Sequence, residues 1–266
     1  MTGPIERNED MRVDDAGAEA RPFVVPCRDL EMSAPWRWLR AGCRDLVRAP
    51  ALTAVFGAVI VLVSVLVSAL AWKLGRFALL ATLLSGFVFI APLICVGLYC
   101  VSRAFEQGRT PQLTDSFVLA RRVMGQAAVF ALAQGVIILL WSRAGMVITA
   151  LWPAEAGDTL ALVEYLLLGS AAGGIFAALT FAVAVVSLPL IADREVDMVT
   201  AAISSVHAVL RNKRVMLSWA AIIVVLTIIG FATAFIGLGL VMPWLAYASW
   251  HAYRETLVAD DWPRLP

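Results

Sequence analysis

After a polar opening stretch, the chain alternates long apolar runs with short arginine-bearing segments. Residues 51–72, 77–101, 123–151, 159–191 and 215–235 are continuous apolar runs. A sixth follows the tight IGLGL turn, carries Pro243 and ends at Arg254. At 1.5 Å per residue such runs cross a hydrocarbon core of about 30 Å, so the pattern predicts six transmembrane helices. Pro92 lies inside the second run and predicts a kink near Ile90, with a neighbouring helix or hydroxyl meeting the freed carbonyl. The run 159–191 exceeds one untilted span and predicts a long tilted helix. Within it Gly169, Gly173 and Gly174 are spaced for close helix approach, and Pro189 sits near its end.

Three shorter segments have helical rather than continuous apolar spacing. In 35–49, Arg37, Arg40, Arg44 and Arg48 recur at three, four and four, with Trp36, Leu39, Cys43, Leu46 and Val47 on the other side. In 113–124, Leu113, Phe117, Ala120 and Met124 share a face flanked by Arg121 and Arg122, and Thr114 or Asp115 can cap the start. In 193–214, Val199, Ala202, Ile203, Val206 and Leu210 oppose Thr200, Ser204, His207 and Arg211, with Asp197 as cap. Amphipathic helices ahead of spans one, three and five suit the membrane interface. The predicted fold is therefore all-α: a polytopic membrane protein of three helical hairpins, each preceded by an interfacial helix. Units run over about 33–108, 109–192 and 193–258, with a disordered tail at 1–32 and a short tail at 259–266. A proline stands in the second span of each unit, at Pro92, Pro189 and Pro243. Pro92, Tyr99 and Arg103 match Pro243, Trp250 and Arg254 at constant offset.

Composition agrees with lipid as the solvent: 61% of residues are hydrophobic and 15% charged, against about half and a quarter in soluble domains. With both termini cytoplasmic, every one of the 21 basic residues except Lys73, Arg76 and Arg143 falls on the inner side, as the positive-inside rule requires. The net charge of +1 gives no reason to expect nucleic acid. The opening residues mix acids with arginines and lack a signal peptide's apolar core. Cys27, Cys43, Cys95 and Cys100 form no metal or disulfide pattern and read as packing residues.

Candidate chemistry is sparse. His251, between Trp250 and Tyr253, could titrate, ligate a metal or hydrogen-bond among aromatics, and the last reading is favoured. Bis-histidine haem would need His207, which lies on a polar helix face. Trp250, His251, Tyr253 and Arg254 are expected to form an anchoring cluster at the inner interface, and Arg103 with Glu106 marks the water boundary of span two. Glu164 and Arg143 suit an ion pair at the outer interface, and Gln134 an interhelical hydrogen bond. No Walker A, HExxH, GxSxG, CxxC or paired catalytic carboxylates occur, so no catalytic residue, cofactor or metal is assigned.

Three stretches, WRWLRAGCRDLVRAPALTAVFG (36–57), GFVFIAPLICVGLYCVSRAFEQG (86–108) and MPWLAYASWHAYRE (242–255), together resemble the bacterial integral membrane family termed domain of unknown function 2189. SWHAYR is the most specific piece and the middle unit the least similar. The resemblance implies a membrane fold and no reaction, since no activity is established for that family. The expectation is a non-enzymatic bacterial inner-membrane protein that organises lipid or partner subunits. Membrane lipids, other membrane proteins or further copies of itself would be its partners. The alternative is a small-solute transporter or channel, suggested by proline-broken spans at repeated positions.

Overall fold

A computed structural model describes residues 22–74, 94–152 and 159–265. Its helices are α1 (Ala34–Arg48), α2 (Pro50–Leu74), α3 (94–106), α4 (Leu113–Arg122), α5 (Met124–Leu151), α6 (Thr159–Ala184), α7 (Ser187–Asp193), α8 (Met198–Arg211), α9 (Lys213–Ala232) and α10 (Leu238–Thr256). Among the described residues the only β pairing is two isolated bridges, Cys27 with Leu257 and Arg194 with Arg264. The three short amphipathic helices form where their spacing predicts. Asp197 caps α8 by accepting from the amides of Val199 and Thr200 at 3.0 and 2.9 Å.

Among the described residues four stretches are long and apolar enough to cross a bilayer: Pro50–Leu70, Met124–Leu151, Thr159–Asp193 and Lys213–Ala232. The chain is an all-helical integral membrane protein with several such helices. Pro92 and the kink near Ile90 lie outside the described residues. The helix carrying Pro243 is not among the four. More than half of α10 is buried in protein, and its second half carries Trp250, His251, Tyr253, Arg254 and Glu255. It is the hub on which α1, α2, α7 and α9 pack, so protein rather than lipid solvates its polar groups.

Burial is strongly one-ended. In α5 it is confined to Ala127, Phe130, Ala131 and Gln134, near the start, and in α9 mainly to Val215, Met216 and Trp219, again near the start. In the run 159–193 it begins only at Val185. The starts of α2, α5 and α9 and the end of that run therefore meet in one packed end with α1, α3, α4, α7, α8 and most of α10. From there the spans project with exposed apolar flanks, such as Leu62, Leu139, Leu167 and Ile228.

The run 159–191 is not one continuous helix. It breaks at Val185 and Val186, before Pro189. Proline at 189 has no amide hydrogen for the Val185 carbonyl and crowds it sterically. Ser205 of α8 then inserts into the ladder: its hydroxyl donates to Ala182 O at 2.7 Å and accepts from Val186 N at 3.3 Å. Ser187 Oγ donates to Val183 O at 2.6 Å, meeting another freed carbonyl.

Residues 22–32, expected in the disordered tail, instead run extended across the packed end. Val25 N donates to Ser204 Oγ, Leu30 N to Asn212 Oδ1 and Arg28 N to Thr256 O. Asp29 pairs with Arg211 at 2.7 Å, and that hydrogen bond holds its carboxyl below the usual carboxylate range. The expectation for residues 1–21 lies outside the described residues. The expected short tail is likewise docked: Trp262 is buried and Leu265 N donates to Asp193 O. In both segments, backbone amides and apolar side chains find partners that a composition-based reading of tails does not supply.

The turn between α9 and α10 depends on residues besides its glycines. Ala234 and Phe235 take the left-handed conformation, φ 51° and 70°. Thr233 Oγ1 donates to Gly230 O and accepts from Gly237 N, both at 2.8 Å. This leaves Gly239 for packing. A Cβ on Gly57 of α2 would come 2.2 Å from Gly239 O, the carbonyl that Pro243, four residues on, cannot satisfy. Absence of a side chain at Gly57 thus lets α2 close over the bond that proline removes, where a Cα–H can face the oxygen. A Cβ on Gly42 of α1 would come 2.6 Å from Ala248 N. Of Gly169, Gly173 and Gly174, where close approach is expected, an added Cβ at Gly169 or Gly174 meets nothing within 4 Å and one at Gly173 comes only to ordinary contact with Trp141 Nε1 at 3.7 Å.

Gly57→Ala should therefore destabilise by about 1–3 kcal/mol through overpacking against backbone, and Gly174→Ala should stay within about 0.5 kcal/mol of wild type. Unfolding of both variants in detergent measures this. Equal stability of the two would contradict the α2–α10 contact.

Candidate functional site

At the packed end the helices bring together a group of charges that the chain separates widely. Asp193, the last residue of α7, is 5% exposed in its side chain. Its Oδ2 accepts from Tyr253 OH of α10 at 2.8 Å and from Arg194 Nε at 3.1 Å. Arg103 Nε of α3 lies 3.5 Å from Oδ1, and Arg254 Nη1 of α10 lies 3.6 Å from Oδ2. Arg103 and Arg194 are themselves only 8% and 4% exposed. Three cations around one desolvated carboxylate call for further acceptors. These come from the Trp262 carbonyl to Arg194 Nη1 at 2.7 Å, the Leu265 carbonyl to Arg103 Nη2, Glu106 to Arg254 Nε at 3.2 Å, and Asp260 to Arg194 Nη2 at 3.4 Å. Carbonyl oxygens of the C-terminal segment thus supply hydrogen bonds to the buried guanidinium groups of Arg194 and Arg103.

Helix geometry accounts for the convergence. α3 is held beside α2 and α4 by Gly97, whose missing side chain admits the Phe56 ring and whose carbonyl accepts from Ser116 Oγ at 2.9 Å. Tyr99 then packs against Trp250, with centroids 6.5 Å apart and ring planes tilted by 32°, and Trp250 meets Tyr253 edge to face at 5.6 Å. Arg103 and Arg254, four residues beyond Tyr99 and Trp250, reach the same carboxylate from two helices. The offset relating these residues in the sequence is a contact in the fold.

A second pair lies along α1 and α10. His251 Nε2 is 2.8 Å from Asp45 Oδ2, with the Asp45 side chain 6% exposed and that of His251 24%. Thr53 Oγ1 and Tyr247 OH pair nearby at 3.1 Å, and Trp244 Nε1 donates to Leu39 O at 2.9 Å. The nearest polar partner of His251 is thus a carboxylate and not the flanking aromatics. Both hydroxyls close to the pair already bind each other.

The four arginines of α1 have different fates. Arg37 bridges Glu31 and Glu255, and the latter also accepts from Trp38 Nε1 at 2.8 Å. Arg48 lies over the Phe105 ring, 4.1 Å from its centroid. Arg40 and Arg44 are exposed and have no partner among the described residues. Of the prolines, Pro189 is buried as the third residue of α7, Pro243 is buried within α10, and Pro92 lies outside the described residues.

Sequence reasoning singled out Arg103, Tyr253 and Arg254 but missed Asp193, Arg194, Asp45 and Asp260. Two signals were present. Asp193 stands flush against the end of a long apolar run, and Asp45 is the sole acid in the basic segment 35–49. Chemically the assembly is a holding device: both oxygens of Asp193 are engaged by protein groups. Among the described residues no group of three or more His, Cys, Asp or Glu side chains is placed to bind a metal.

Residues 79–193 match the model of a family described as a predicted integral membrane protein, domain of unknown function 2189. The match includes one of the three stretches that carry the resemblance in the sequence, 86–108. It also spans the middle unit, which that reading held to be the least similar, so the resemblance there is stronger than motif comparison indicated. Arg103 and Asp193 lie inside it, Tyr253 and Arg254 beyond it. No curated protein and no solved structure matches the chain.

Asp193→Asn should cost about 3 kcal/mol, because it strands buried guanidinium groups without their shared counter-charge. Asp260→Asn, on a side chain 72% exposed, should cost at most about 1 kcal/mol. Denaturant unfolding in detergent gives both numbers, and similar losses would remove Asp193 from its central place.

Proposed function

We propose that this is a non-enzymatic bacterial inner-membrane protein whose packed end faces the cytoplasm, binds anionic lipid headgroups and organises lipid or neighbouring subunits. In this reading the six spans form three hairpins, both termini are cytoplasmic, and α1, α4 and α8 lie at the interface.

One observation carries it. Each short helix packs one face on the protein and still carries large apolar side chains on its outward face. On α1 these are Trp36 and Val47, on α4 Phe117 and Val118, and on α8 Val199 and Leu210, all exposed. The buried faces include Trp38, Leu39, Gly42 and Asp45; Ser116 and Leu119; and Met198, Thr200, Ala201, Ser204, Ser205 and Ala208. In water such an arrangement would leave large apolar patches unsatisfied. At a headgroup boundary it places apolar side chains in the acyl region while Arg40 and Arg44 meet phosphates. The one-ended burial favours the same orientation, since among the described residues every arginine except Arg143 lies on a segment that adjoins the packed end.

Reconstitution into vesicles of equal parts phosphatidylcholine and phosphatidylglycerol tests this. Lipid co-extracted with the protein should be enriched in phosphatidylglycerol, and the vesicles should show no solute flux above protein-free controls. Flux of a defined solute would move the transporter reading ahead. Single cysteines at Gln107 and Gly157 in a cysteine-free background should label from opposite sides of intact cells, with Gly157 reached by an impermeant reagent. Labelling of Gln107 instead would reverse the orientation.

A further inference from the structure

A groove of about 610 Å³ runs along the outer flank of α2 from the end of α1, within the size range of ligand sites. Val47, Ala54, Ala58 and Val61 form one wall, and Ile236 and Leu240 of the α9–α10 turn and the start of α10 form the other. Its polar lining side chain, Thr53, is bound to Tyr247 through its hydroxyl. The floor is the Gly57–Gly239 crossing, where neither residue has a side chain to fill the space. From Pro50 to Val61 the groove follows about 16 Å of helix, roughly half the thickness of a hydrocarbon core. A sugar, peptide or headgroup would find no free polar partner along this length, whereas a hydrocarbon chain needs none.

The mouth of the groove is charged. Arg40, Arg44 and Val47 are spaced four and three, so they share one exposed strip of α1. Both arginines lack a partner among the described residues, while Arg37 is held by Glu31 and Glu255, Arg48 by Phe105, and Asp45 by His251. Two exposed guanidinium groups one and two turns before an apolar channel complement an anionic head joined to an acyl chain.

We infer that this groove binds one acyl chain of an anionic phospholipid, whose headgroup phosphate rests on Arg40 and Arg44. The inference rests on the proposed membrane orientation and goes beyond it: a surface attracted to anionic lipid in general becomes a discrete site for one molecule. Lipid bound there would bridge α1, α2 and the start of α10, and so couple headgroup charge to the α2–α10 contact.

The test uses the full chain purified in neutral detergent, with phosphatidylglycerol or phosphatidylcholine added and bound lipids counted by native mass spectrometry. The first phosphatidylglycerol should bind about thirtyfold more tightly than the first phosphatidylcholine, as two near-surface arginines would give. Arg40→Gln with Arg44→Gln should abolish that preference. Ala54→Phe with Ala58→Phe fills the groove from exposed positions and should remove the tight adduct while helix content and melting stay at wild-type values. A second measurement does not depend on that variant folding: phosphatidylglycerol carrying a mid-chain diazirine should crosslink wild-type protein within 47–61 or 236–240. Crosslinks confined to other segments, or a folded groove variant that keeps the tight adduct, would overturn the groove. If the arginine variant still loses its preference in that case, the headgroup reading survives without it. Equal binding of both lipids by wild type would overturn both.

Discussion

The fold depends on keeping one carboxylate charged where water does not reach it. Asp193 is tolerable only because Tyr253, Arg194, Arg103 and Arg254 surround it. Two of those guanidinium groups, Arg194 and Arg103, are tolerable in turn because the backbone carbonyls of Trp262 and Leu265 accept hydrogen bonds from them. Each element that contributes is pinned by the requirement that none be left unpaired. This is why α3, α7, α10 and the C-terminal segment occupy one place, and why burial in the apolar spans is concentrated at the end where they meet. Hydrophobicity alone would not choose that end, since lipid solvates the flanks of the spans as well as protein does.

Close backbone approach does the remaining work. Proline at 243 removes one hydrogen bond from α10, and the freed carbonyl of Gly239 points at the one residue of α2 with room to receive it. A serine inserted from α8 plays the corresponding part at the break before Pro189. In both cases the helix that accommodates the proline contributes less to the solution than its neighbour. Membrane interiors impose this, because no water is available to satisfy a broken ladder.

Much of the architecture was legible in the chain. Apolar run length located the spans, and helical spacing located α1, α4 and α8, because those signals are local and long. What could not be read were quantities set by neighbours. The spacing of four from Gly169 to Gly173 suggested a packing face, yet whether a glycine is packed depends on what lies opposite, and close backbone contacts fall instead at Gly42 and Gly57. Acidic residues near the start read as disorder, although Asp29 is clamped by Arg211 from the far end of α8. The internal offset relating Tyr99 and Arg103 to Trp250 and Arg254 was visible, but their common target was not, because Asp193 belongs to neither stretch. The stripe of four arginines looked uniform, and only tertiary structure distinguishes Arg37 and Arg48, which are engaged, from Arg40 and Arg44, which have no partner among the described residues.

The order in which the cluster's parts occur along the chain bears on biosynthesis. Arg103 and Asp193 emerge from the ribosome well before Tyr253, Arg254 and the carbonyls of Trp262 and Leu265. Helices α2, α5, α6 and α9 are apolar enough to enter the bilayer one after another, but the charges between them stay incompletely paired until α10 and residues 257–265 arrive. Insertion and locking are therefore separate stages. A nascent chain stopped before α10 would be anchored in the membrane yet unlocked, with its charged surface exposed to the proteases and chaperones that inspect unfinished membrane proteins.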